Sequence, residues 1–263
     1  MTNDSTLPAN EDAWRGAVYQ AWLARFGAPP AAAAELRVRA RARLAGLDAY
    51  FGELQGRRVL NLMGSNGMKA VATALLGAQV TVVDFAQGNA DYAQALAEAA
   101  GVELRYIVSD VLALDSAERA RRYDLVFAEL GILHYFSDLA PFAALVTEVL
   151  ERGARFVLRD FHPVSTKLLS FRGSTAKVRK VKVTGDYFEA ALRAEPVSFA
   201  KYLPPDAAAT ATVLWRRWTL GEVVTAFAAA GLRIERLVEE PNRSSEVFDR
   251  GIPKTFVLVA VKA

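Results

Sequence analysis

The chain has 263 residues, 52% of them hydrophobic, and no cysteine; it can bury a substantial core, while disulfides, thiolate zinc sites and cysteine nucleophiles are excluded. Its 32 basic and 29 acidic residues leave a formal net charge of +3, too weak a field at this size to call for nucleic acid as a partner. His134 and His162 are the two imidazoles and show no metal-ligand spacing, so no metal is expected. The N-terminal stretch MTNDSTLPANEDAW lacks the basic-then-apolar pattern of a signal peptide, and no apolar run approaches the ~20 residues that span a bilayer. The expectation is a cytoplasmic protein without membrane partners, a monomer or homodimer, acting on a small molecule.

In chain order, the first element reads as a helix. Asn10 is placed to cap it, Glu11 and Asp12 suit its positive end, and Trp14, Val18, Ala21 and Trp22 share one face that runs to Gly27. After Ala-Pro-Pro a second helix is predicted from Ala31 to about Phe51, with Gly52 and Gly56 as stops. From Arg57, short β-rich runs alternate with helical segments, the pattern of a parallel sheet wrapped by helices. RRVLNLM, AQVTVVD, ELRYIVSD, YDLVFAEL and ARFVLRDF read as strands one to five, continuously apolar as buried parallel strands are. Between them lie GMKAVATALLG, GNADYAQALAEAAG, a short polar connection around Ser116 to Arg122, and LAPFAALVTEVL. Residues 164–217 break the rhythm and read as an insertion or lid. The alternation resumes with the helix TLGEVVTAFAAAG, then LRIERLVEE and KTFVLVAVKA, two strands that could pair at the sheet edge. The expected fold class is a doubly wound α/β sheet, with an N-terminal helical cap over 1–56, a core over 57–163, the insertion over 164–217 and a C-terminal completion over 218–263.

Ligands of a doubly wound sheet collect at the carboxyl ends of its strands. Strand one ends in Met63-Gly64-Ser65-Asn66-Gly67, whose small residues let the backbone approach a ligand just ahead of a helix N-terminus. Strand two ends in Asp84, placed to accept from both hydroxyls of an adenosine ribose and to exclude a ribose 2′-phosphate, which disfavours NADPH. Strand three ends in Ser109 and Asp110, where a carboxylate could accept from an adenine amino group. Strand four ends in Glu129-Leu130-Gly131, just before His134 and Tyr135. Alone, Asp84 or Asp110 could equally cap a helix or turn; the set points to a nucleotide-type cofactor.

Together these residues resemble a class I, seven-strand, Rossmann-like S-adenosylmethionine-dependent methyltransferase of the small-molecule type, over about residues 57–163 and 218–263. The family's loop after strand one reads acid-x-Gly-x-Gly-x-Gly. Here Asn61-Leu62-Met63-Gly64-Ser65-Asn66-Gly67 keeps only the last glycine in register, with Asn61 in the acid's place and Met63 and Ser65 in place of two glycines. Asp84, Ser109-Asp110-Val111, YDLVFAEL and the closing WTLGEVVTAFAAAGLRIERLVEEP continue the match. The resemblance implies an antiparallel last strand, S-adenosyl-L-methionine as cofactor and S-adenosyl-L-homocysteine as product. It implies cofactor contacts from Asn61, Gly64, Ser65, Asn66, Gly67, Asp84, Phe85, Asn89, Ser109, Asp110, Val111 and Glu129, with Asp84 on the ribose, Asp110 on the adenine and the loop on the methionyl part.

Methyl transfer from a sulfonium asks for in-line alignment and, with some acceptors, removal of a proton. His134, Glu129 and His162 are the candidates for that catalytic work, though an imidazole at His134 could instead bond to backbone at a helix start. Tyr19 and Trp22 in the first helix, Tyr135, His162, Lys167 and Tyr187 are candidate acceptor contacts. Lys167, Arg172, Lys177, Arg179, Lys180 and Lys182 follow one another with no acid between, near Phe171, Tyr187 and Phe188. This strip reads either as a solvated basic hairpin or as a lid over an anionic or aromatic acceptor. AELGILHYF lacks the (Asp/Asn)-Pro-Pro-aromatic loop of enzymes that methylate base amines, which leaves oxygen, nitrogen or carbon acceptors on a small molecule such as a natural-product intermediate. The rival readings are an RNA methyltransferase, a nicotinamide oxidoreductase and a methyltransferase-like domain that only binds a ligand.

Overall fold

The computed structural model describes Trp14 and residues 17–171, 181–204, 212–241 and 251–263. Five strands come in the predicted order: β1 (Arg58–Leu62), β2 (Gln79–Asp84), β3 (Arg105–Val108), β4 (Tyr123–Glu129) and β5 (Leu150–Phe161). With β10 (Leu232–Pro241) and β11 (Pro253–Lys262) they form a seven-stranded sheet in the order β10-β11-β5-β4-β1-β2-β3. β1 pairs in parallel with both β2 and β4, so strand order reverses there, at the point where doubly wound sheets bind ligands. β11 is antiparallel to both β5 and β10, so the last strand runs as the resemblance implies. Of the two closing strands only β10 lies at the edge. β11 is interior, with Thr255 to Val261 buried without a break, whereas β10 is largely exposed.

Side-chain alternation splits the core into two layers. Val59, Val82, Phe127, Val157 and Val257 face one side and pack with α1 (Val18–Phe26), α2 (Pro29–Arg43), α4 (Met68–Leu75) and α5 (Gln87–Ala100). Leu60, Val126, Phe156, Leu158 and Leu258 face the other and pack with α7 (Ala140–Val149) and α8 (Leu220–Ala229). The second helix differs from expectation. It starts at Pro29, where proline costs no hydrogen bond, and ends at Arg43; a turn follows, then the short α3 (Asp48–Phe51). The polar connection holds a short α6 (Ser116–Ala120) whose N-terminus Asp115 caps by accepting from Glu118 N–H at 2.8 Å. The expected cap at Asn10 with Glu11 and Asp12 lies outside the described residues, as do Arg172, Lys177, Arg179 and Lys180 of the basic strip.

The insertion forms two small antiparallel pairs, β6 (Leu169–Phe171) with β7 (Val181–Val183) and β8 (Arg193–Pro196) with β9 (Thr212–Trp215). Its end docks onto the turn after β4: Arg216 N–H donates to the His134 carbonyl at 2.9 Å and Trp218 Nε1 to the Leu133 carbonyl at 2.9 Å. The insertion therefore shapes the carboxyl end of the sheet.

Candidate active site at the carboxyl end of the sheet

The loop after β1 turns left-handed at three alternate positions: Met63 at φ 50°, Ser65 at φ 50° and Gly67 at φ 72°. Cβ crowding makes this region costly for the first two, by roughly 1 kcal/mol each. Gly64 is small for another reason. A Cβ there would stand 2.5 Å from Asn61 Oδ1 and 2.6 Å from Val82 Cγ1. Asn61 is buried, and its Oδ1 has no hydrogen-bond partner among the described residues. Asn66 Oδ1 accepts from Met68 N–H at 3.2 Å, closing the loop onto α4.

Asp84, 7% exposed, is tied to the same loop. Its Oδ2 accepts from Ser65 N–H at 3.0 Å, and its Oδ1 from Ala86 N–H at 3.0 Å and Asn89 Nδ2 at 2.9 Å. A carboxylate offers about four acceptor positions, so Oδ2 has room for one further donor. Burial raises the Asp84 pKa, and these three hydrogen bonds pull against that rise. Asn89 Oδ1 in turn accepts from Trp22 Nε1 at 2.7 Å, so Trp22 braces the Asp84 network. Tyr19 packs edge-on against Tyr92 and Phe85 edge-on against Trp14. Asp110 Oδ1 accepts from Leu112 N–H at 3.0 Å and caps a 3₁₀ turn, Val111–Ala113, with Val111 buried beneath; Ser109 Oγ donates to the Asp110 carbonyl.

At the end of β4, Glu129 is held between cations, 3.0 Å from Lys69 Nζ and 3.1 Å from Arg159 Nη1. Arg159 Nε continues to Glu240 Oε2 at 2.9 Å, which also accepts from Thr255 Oγ1 at 2.7 Å. These contacts tie Glu129 into an ion network that spans α4, β4, β5 and β10. His134 lies in the 3₁₀ turn Leu133–Tyr135. Asp160 holds the start of that turn by accepting from Gly131, Ile132 and Leu133 N–H at 2.6, 3.3 and 3.1 Å. The imidazole lies tilted against Trp215 at 4.0 Å between centroids, and its Nε2 is buried with no partner among the described residues. Burial, helped by the positive Arg217, lowers its pKa to about 3; the ring is neutral at physiological pH and a weak base. Tyr135, beside Trp14, Ser198 and Trp215, has its phenol pushed up to about 12 by burial.

His162, Lys167 and Tyr187 serve the insertion. His162 Nε2 lies 2.7 Å from Glu239 Oε1 while its Nδ1 accepts from Val164 N–H at 3.1 Å, so both ring nitrogens are engaged. Buried Lys167 donates to the carbonyls of Glu189 and Arg217, stapling the insertion together. Tyr187 Oη accepts from Leu220 N–H at 3.2 Å. A cavity of about 420 Å³ opens at the ends of β4 and β5, walled by His134, Phe161, Trp215, Arg217, Trp218 and Phe256. Arg217 pairs with Glu195 at 3.1 Å, and Arg216, which also borders the cavity, pairs with Glu222 at 3.0 Å and lies 3.6 Å over the Trp218 ring. No group of three or more potential metal ligands forms among the described residues, and no described helix is long and apolar enough to cross a membrane.

Residues 59–153, from β1 into β5, match the family model of a methyltransferase domain. The chain has the fold of class I methyltransferases. Solved structures agree on its fold. A candidate S-adenosylmethionine-dependent methyltransferase of Listeria monocytogenes is 18% identical, with 85% of this chain and 99% of that one covered at a TM-score of 0.66. An S-adenosylmethionine-dependent methyltransferase of Mesorhizobium loti is 22% identical, with coverages of 84% and 97% and a TM-score of 0.64. Magnesium protoporphyrin IX methyltransferase of Synechocystis, solved with S-adenosylhomocysteine, is 15% identical, with coverages of 97% and 99% and a TM-score of 0.59. No curated protein matches in sequence.

The carboxyl end of the sheet thus gathers Asn61, Gly64, Ser65, Asp84 and Asn89 around one loop, with Trp22 behind them. Of the three residues expected to do acid–base work, His134 alone borders the cavity. Trp215, Arg217 and Trp218 were not among the expected acceptor contacts; their signal was the aromatic–arginine alternation LWRRW, which straddles the end of the insertion at 217 and the start of the C-terminal completion at 218.

Proposed function

We propose that the protein transfers the methyl group of S-adenosylmethionine to an uncharged aromatic small molecule. The observation that carries the cofactor assignment is the loop after β1: it is left-handed at each position where the family has glycine, although two of the three residues are Met63 and Ser65. Asp84, bonded to that loop with an acceptor position to spare, suits a ribose hydroxyl, and the unpartnered Oδ1 of Asn61 suits a donor on the methionyl side. Bound there, the cofactor supplies a methyl already activated by its sulfonium, so the chain's own task is alignment and exclusion of water.

The cavity supports the acceptor class. Its walls are largely apolar and include the rings of Phe161, Trp215, Trp218 and Phe256, and the cations near it are engaged: Arg216 with Glu222, Arg217 with Glu195, and Lys167 with two backbone carbonyls. A neutral ring system fits such walls better than an anion. The neutral His134 would orient the acceptor, the helices before β1 would cover the cofactor and the insertion would cover the acceptor. Equilibrium titration of S-adenosylhomocysteine into wild type and Asp84→Ala tests the assignment. The substitution should weaken binding by about 1–3 kcal/mol, the scale of lost hydrogen bonds to a charged group; unchanged affinity would overturn it.

A further inference from the structure

Left-handed backbone at Ser65 needs an explanation, since nothing in a serine favours it. Both peptide groups of that residue are gripped by side chains from the sheet. Its N–H donates to Asp84 at the end of β2 at 3.0 Å, and its carbonyl accepts from the Tyr106 hydroxyl on β3 at 2.7 Å. β2 and β3 are adjacent and parallel, with Tyr106 in register with Val82, so the ladder fixes the separation of the two grips. Tyr106 is half-buried, and desolvation raises its phenol well above the usual pKa, which keeps it protonated and donating. Met63 is held differently, by packing against both core layers.

We propose that Tyr106 is a positioning residue of the cofactor loop: its hydrogen bond to the Ser65 carbonyl holds in place a left-handed turn that glycine would adopt unaided. The inference rests on the methyltransferase reading for its ligand and on the loop geometry for its mechanism. An acid at the end of β2 belongs to the family pattern, whereas the tyrosine compensates for a residue that departs from it. Loop amides aimed at the cofactor by a fixed Ser65 peptide would lose that aim when the carbonyl is released.

The test is a double-mutant cycle on the full chain, with S-adenosylhomocysteine as the probe. Tyr106→Phe, which keeps the ring and its packing, should weaken binding about tenfold. Ser65→Gly should bind at least as tightly as wild type. The double variant should return to within about threefold of wild type, because glycine no longer needs the grip. Amide exchange at Ser65 and Gly67 in the ligand-free protein should be faster in Tyr106→Phe. Wild-type affinity in Tyr106→Phe, or a double variant as weak as Tyr106→Phe, would overturn the proposal. If wild type itself does not bind the probe, the methyltransferase reading fails, and unchanged exchange in Tyr106→Phe would then sink the positioning role separately.

Discussion

His134 shows how burial changes what a residue can do. Sequence places it just after β4, where an acceptor would meet a base, but the ring is packed against Trp215 and desolvated to a pKa of about 3. The ordinary value of ~6.5 applies to the unfolded chain. Between the two, the unfolded state takes a proton that the folded state refuses. His134 therefore costs nothing above pH 6.5 and removes stability as pH falls from there toward 3, by up to ~1.4 kcal/mol per pH unit. Urea denaturation from pH 7 to 4 should show a flatter stability curve in His134→Gln than in wild type; identical slopes would contradict the desolvated placement. Asp84 was legible because an acid closing a buried strand is visible in one short run. His162 and Lys167 were visible as residue types, but their partners were not: Glu239, Glu189 and Arg217 lie far along the chain.

At the scale of elements, the strands and helices of the core were legible because burial on both faces demands continuous apolar runs and wrapping helices demand the 3.6-residue period. The break after α2 was less so. The Ala-, Arg- and Leu-rich composition favours helix throughout, while Gly46, at φ 88°, marks the turn that ends it. The ion network joining α4, β4, β5 and β10 through Lys69, Glu129, Arg159 and Glu240 left no sequence signal, since its members sit on four separate elements. Removing its central carboxylate takes from Lys69 its carboxylate partner in a poorly solvated place and leaves Arg159 with Glu240 alone. Glu129→Gln should cost on the order of 3 kcal/mol in chemical denaturation; a change within 0.5 kcal/mol, the range of an ordinary surface substitution, would show the network to be incidental.

At the scale of the whole molecule, the sheet order gathers the ends of β1, β2 and β4 at one place, and two additions converge on it. The helical segment before β1 reaches the Asp84 network through Trp22, and the insertion reaches the turn after β4 through Arg216 and Trp218. The class of fold was readable from the alternation of strands and helices. The convergence was not, because it depends on contacts such as Trp14 with Phe199 that link the chain's beginning to its insertion. A site arranged in this way should recognise a sulfonium nucleoside and ignore a nicotinamide dinucleotide. Calorimetric titration of the full chain with S-adenosylhomocysteine, with NADH in parallel, tests this most directly. Saturable heat with S-adenosylhomocysteine and none with NADH is the predicted result. No heat with S-adenosylhomocysteine at high micromolar concentration, or saturable binding of NADH instead, would contradict it.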